Sequence, residues 1–171
     1  MKLLQTTALC VGMALAAPAA FAAPQISDVE VRTDLSDYES SNALDYWPNL
    51  AEDLGKAIVA QAELADSAEF PSIVVEVTNV AVDGNPVLPN TGEFNQLGGI
   101  VQVFPGDPTL TKAPGDRGTE DPIQNYPLRL HAIAGEAAPG EGWITIPPSQ
   151  DDFYNAMITA FAAEVLKNMD E

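Results

Sequence analysis

The run from Pro71 to Gly84, P-S-I-V-V-E-V-T-N-V-A-V-D-G, constrains the fold more than any other part of the chain. It is the densest cluster of β-branched residues, set between a proline and an Asp-Gly turn signal, and it predicts a long strand. Val75 and Val77 alternate with Glu76 and Thr78; the phase then slips at Asn79, and Val80 and Val82 take over. Strand side chains alternate faces with period two. A one-residue slip therefore predicts a bulge at that point, or a strand buried on both faces. We expect a central strand, with a helix before it and strands after it packed around it.

The N-terminus sets the compartment. Met1-Lys2 is a short positive start, Leu3 to Ala19 is apolar and alanine-rich, and Ala20-Phe21-Ala22 is an A-x-A cleavage site. This pattern predicts a signal peptide over residues 1–22, cut before Ala23, with the remaining chain, 23–171, forming one domain. The apolar core is too short for a retained membrane anchor. Cys10, the only cysteine, follows Ala8-Leu9 and lies close to the start, which does not fit a lipoprotein signal. The expected mature chain is thus free of cysteine, which excludes disulfides, thiolate metal sites and cysteine catalysis. Its length suffices for one ordinary core without such staples.

Loss of Lys2 leaves six basic residues, Arg32, Lys56, Lys112, Arg117, Arg129 and Lys167, against 25 acidic ones, a net charge of −19. A chain this acidic repels nucleic acid and anionic membrane surfaces. The acids are spread along the chain rather than gathered in one block, which is the pattern of a solvated surface. Recruitment of cations or of a basic partner is the functional alternative.

The other elements follow from periodicity. Val29 and Val31 alternate with Glu30 and Arg32, predicting a strand over 27–33. Ser36, Ser40, Ser41 and Asn42 offer turn or N-cap side chains. Trp47, Leu50, Ala51, Leu54, Ile58, Ala62 and Ala65 recur at three and four, predicting a helix over 43–65, with Glu52 and Lys56 paired on its opposite face. Pro48 belongs in a first turn, so either the helix starts near Trp47 or a short turn from Asn42 kinks there. Leu97 to Phe104 and Tyr126 to Ala134 read as strands, and Gly98-Gly99 would allow a bulge or a close backbone approach. The proline- and glycine-rich stretch 105–125 reads as a long mobile loop. Trp143 to Ile146 reads as a short strand. Ser149 then caps a final helix whose stripe is Tyr154, Met157, Ile158, Phe161, Ala162, Val165 and Met169.

The expected order is β-α-β-β-β-β-α. The fold class is α+β: a two-layer sandwich of a mixed five-stranded sheet with two helices on one face, its first two strands parallel.

Little of this commits to a chemistry. His131 is the only histidine and sits between Leu130 and Ala132 on a strand. There is no G-x-S-x-G, no H-E-x-x-H and no phosphate loop. Asp83-Gly84-Asn85 and the run from Gly115 to Asp121 offer oxygen ligands, but neither has the spacing of a calcium loop, and turn chemistry accounts for both. No catalytic residue, metal ligand or cofactor is assigned. The candidate interaction residues are Tyr46 and Trp47, beside Pro48, and Lys112 and Arg117, in the long loop. For Trp47 the alternative is sealing the end of the core.

The leader, D-V-E-V-R-T-D-L (28–35), Y-W-P-N-L-A-E-D-L (46–54) and D-F-Y-N-A-M-I-T-A-F-A (152–162) together resemble small uncharacterised exported proteins of Gram-negative bacteria. The element order is similar to periplasmic and lipoprotein α+β domains that are accessory parts of envelope machines. The missing catalytic set, two possible open sheet edges and the long loop beside them lead us to expect a periplasmic, non-enzymatic module that binds a partner, such as another envelope protein, or helps assemble an envelope component, with strand addition at an edge as one mode. A carboxylate-based periplasmic hydrolase and a secreted calcium- or ligand-binding module are the alternatives.

Overall fold

The computed structural model describes residues 23–106, 121–133 and 150–169. In chain order the elements are β1 (Gln25–Ile26), β2 (Asp28–Thr33), α1 (Ala43–Tyr46), α2 (Leu50–Gln61), β3 (Glu63–Leu64), β4 (Ser72–Ala81), β5 (Gln96–Phe104), β6 (Gln124–His131) and α3 (Gln150–Met169).

The valine-rich run forms β4, an inner strand of a mixed sheet ordered β2-β4-β5-β6. β2 pairs with it in parallel, Asp28 to Ser72 through Thr33 to Val77, and β5 and β6 continue antiparallel. The phase slip is a bulge. Val77 pairs with Gly99 and Asn79 with Gly98, so Thr78 is the extra residue. Val80 returns to the inner face, where Ile73, Val75 and Val77 already lie, all at most 1 % exposed. Each such side chain contributes on the order of 1.5–3 kcal/mol by leaving water. The glycine pair is what lets the strands meet there: a Cβ on Gly99 would stand 2.6 Å from the Glu76 carbonyl oxygen. At the end of β4, Asp83 and Gly84 both adopt positive φ, and Val82 and Asn85 exchange backbone hydrogen bonds. This is the two-residue turn that an Asp-Gly pair favours.

The predicted helix over 43–65 is two helices and a strand. α1 ends before Pro48, the Trp47 N–H closing on the Ala43 carbonyl, and α2 restarts at Leu50. The chain leaves helix at Ala62, which is fully extended, and Glu63–Leu64 pair in parallel with β1. Glu63 and Ala65 donate to the Pro24 and Ile26 carbonyls, while Ser27 donates to Pro71. The start of the β1–β2 segment is therefore flanked on both sides. The expectation of one five-stranded sheet is corrected accordingly: the described strands form one sheet of four and one of two. The expected strand over 143–146, the Ser149 cap and most of the loop at 105–125 lie outside the described residues.

The α+β class holds. α2 packs on β2, α3 on β5 and β6, and the two helices on each other. Leu50, Leu54 and Ile58 of α2 and Phe161 and Val165 of α3 are fully buried against the inner face of the sheet. Two hydrogen bonds tie the helices together. The Gln61 amide donates to the Thr159 carbonyl at 3.1 Å, and the Tyr154 hydroxyl donates to the Asp53 carboxylate at 2.8 Å.

Candidate binding surface

Tyr46 and Trp47 stand where α1 meets the connection from β4 to β5. Their surroundings are built by a strap, residues 82–95, in which Pro86, Pro89, Asn90 and Gly92 signal a loop. Its Leu88 and Phe94 are core residues, 3 % and 2 % exposed. Asn42, at the N-cap position of α1, makes no cap hydrogen bond. Its side chain instead accepts from the Leu88 N–H at 2.7 Å and donates to the Leu88 carbonyl at 3.1 Å. The Trp47 indole N–H donates to the Gly92 carbonyl at 2.8 Å. Gly92 has φ +70, and a Cβ there would meet the Tyr46 ring at 3.0 Å. The Trp47 ring stacks on Tyr154, centroids 4.1 Å apart and 8° from parallel, and Phe94 meets both edge-on. Trp47 therefore spends its N–H and a ring face inside the chain. Burial, with the Asp53 carboxylate beside it, pushes the Tyr154 phenol well above its usual range. The hydroxyl is held as a donor to Asp53.

The other residues singled out from the sequence do not gather into a site where they are among the described residues. Ala23 is exposed just before β1. Ala20, Ala22, Lys112 and Arg117 lie outside the described residues, as does most of the run from Gly115 to Asp121. Asp83 and Asn95 bond reciprocally: the Asp83 N–H donates to the Asn95 side-chain oxygen, and the Asn95 amide donates to the Asp83 carboxylate. His131 is exposed at the end of β6. Among the described residues no three His, Cys, Asp or Glu side chains come together as a metal site, and no helix is long and apolar enough to cross a membrane.

A different surface stands out once strands are placed side by side. Inner positions of β5 and β6 face the helices; outer positions present Ile100, Gln102, Asn125, Pro127, Arg129 and His131. Register puts Ile100 opposite Pro127 and Gly98 opposite Arg129. Ile100 is 39 % exposed, and Ile123 and Ile133, just beyond the two ends of β6, are 63 % and 64 % exposed. There is no Asp or Glu from Gln96 to Phe104 or from Ile123 to Ile133, in a chain with 25 of them. The outer residues of β2 and β4 differ: they include Asp28, Glu30 and Glu76. Glu76 accepts from Arg32, its register partner, at 2.7 Å. The acid-free zone is visible in the sequence only when two segments some twenty residues apart are known to be neighbours.

The sheet's outermost strands carry protection. On the β2 side, β3 covers β1, the two residues just ahead of β2. In β6 the register with β5 is unbroken, and Ala132 donates to Asn95. By alternation the even positions of β6 bond to β5 and Pro127 falls on an outward-pointing one. Its missing N–H costs the ladder nothing and removes a donor from the open edge, where a strand tolerates proline.

No protein-family model matches the chain, and no curated protein matches it in sequence.

Proposed function

We propose that this chain is an exported, periplasmic, non-enzymatic accessory module that binds another envelope protein through the outer face of β5 and β6. The observation that carries the reading is the acid-free surface bearing Ile100, Ile123 and Ile133 on an otherwise strongly acidic chain. The three are spaced along the length of β6 on one acid-free face rather than gathered in one patch, an arrangement suited to an extended partner segment. Charge elsewhere on the chain keeps it soluble. The leader supports export, and Pro127 in the middle of β6 favours docking on the face over strand addition at that edge.

The test is in-cell photocrosslinking with the probe residue placed in turn at Arg129, at Ile100, and at the exposed helix positions Glu52 and Val59. The reading predicts one protein adduct from the sheet positions and none from the helix positions. Adducts from the helix positions alone would overturn it. So would turnover of a small substrate that is lost on changing one polar residue.

A further inference from the structure

The chemistry of the partner segment can be taken one step further, resting on the docking reading above. Four cations lie among the described residues. Arg32 pairs with Glu76, Lys56 with Glu52 and Lys167 with Glu164. Arg129 is exposed and, among the described residues, forms no ion pair. Gly98 lies opposite it, and the Arg129 Cγ sits 3.5 Å from where a Gly98 Cβ would be, so the missing side chain makes room for the arginine stem. Pro127, with Ile100 opposite it, precedes Arg129 by two residues on the same face, and Ile133 follows by four. We propose that this face receives a protein segment bearing aliphatic side chains and a carboxylate that meets Arg129.

The other occupants fit less well. A second copy docked face to face about a two-fold axis would set one acid-free surface against another and leave both arginines without a carboxylate. Nucleic acid or an anionic bilayer would meet a net charge of −18 with one cation at the contact. Glu76 borders the face as the register partner of Ile100, but it is held by Arg32, so the segment's carboxylate falls on the β6 side, where Arg129 meets it.

The experiment uses the leader-processed chain and three pools of synthetic ten-residue peptides, in which Ile or Val alternates with Glu, with Ser or with Lys. Binding is read by fluorescence anisotropy. The Glu pool is expected to bind about two- to fivefold more tightly than the Ser pool, the range of a partly exposed ion pair. Arg129→Gln, with an unchanged circular dichroism spectrum, should abolish that preference without weakening the Ser pool. Ile100→Lys should weaken the Glu and Ser pools alike. Equal binding of the Glu and Ser pools, a preference for Lys, a preference that survives Arg129→Gln, or no binding by any pool would overturn the proposal. Adducts from the sheet positions in the crosslinking experiment would leave the docking face standing in each of those cases.

Discussion

Tyr154→Phe gives a direct test of how the two helices are held. The substitution keeps the ring on Trp47 and removes only the hydroxyl that donates to Asp53 at 2.8 Å. A hydrogen bond to a charged acceptor contributes about 1.5–3 kcal/mol. Asp53 keeps some contact with water, so a loss of about 1–2 kcal/mol is expected near pH 8. Burial of the phenol, together with this bond, also sets a pH dependence. Tyr154 ionises less readily in the folded chain than its usual value near 10. An acid whose folded pKa is raised contributes stability fully present below the unfolded pKa. That stability falls as the pH rises past it, because only the unfolded chain then releases the proton. The parent should therefore lose up to about 1.4 kcal/mol per pH unit above pH 10 through this residue. The variant lacks that dependence, and the other tyrosines are common to both chains and cancel in the difference. Guanidinium unfolding at pH 8 and pH 11, followed by tryptophan fluorescence, measures the gap. Equal stability at pH 8 together with parallel losses above pH 10 would refute the argument.

Gly99→Ala should cost about 1–3 kcal/mol in denaturant unfolding, since its Cβ would meet the Glu76 carbonyl at 2.6 Å and the strands would have to part at the bulge. Asn42→Ala leaves the buried Leu88 N–H and carbonyl without their side-chain partners and should cost about 1–3 kcal/mol, with increased amide exchange confined first to residues 85–92. Arg32→Ala should change stability by less than about 1 kcal/mol despite its 2.7 Å contact, because the guanidinium is largely in water. Pro127→Val restores an outward N–H to β6 and should increase self-association in sedimentation with little change in the unfolding midpoint of dilute protein.

What the sequence displays and what it conceals divide by range. The phase slip at Asn79 and the pair Gly98-Gly99 are both readable, and they turn out to be two sides of one bulge. Pro48 announces the break between α1 and α2 because a proline interrupts a helix whatever surrounds it. The end of α2 is different. Ala60 to Ala65 has good helix formers and continues the apolar stripe, yet the Pro24 and Ile26 carbonyls draw Glu63 and Ala65 into strand pairing. Propensity is a weak preference, and contacts to residues some forty positions away outweigh it. The strap is concealed for the same reason. Leu88 and Phe94 lie in a proline- and glycine-rich stretch with no period, and their docking shows only in the structure, where Asn42, which reads as a helix cap, holds Leu88 and the Trp47 and Tyr154 rings meet Phe94. The aromatic pair Tyr46-Trp47 is conspicuous in the sequence, but its partners Gly92, Phe94 and Tyr154 come from two other parts of the chain.

The distribution of charge links fold to binding more closely than the total does. A net charge of −18 opposes aggregation everywhere on the surface, so a stretch without acids forgoes that protection locally. On β6 a different device stands in for it: Pro127 removes an outward donor, and Arg129 adds a positive charge with no ion pair among the described residues. Both act against pairing with a like strand, the proline by breaking the hydrogen-bond ladder and the arginine by meeting its own copy in a symmetric contact. Neither acts against an aliphatic segment that brings its own carboxylate. Ile100, opposite Pro127, stays available to it. The features that would keep two copies apart are thus compatible with a partner of the chemistry proposed, which is why the edge and the face of the same strand lead to different expectations.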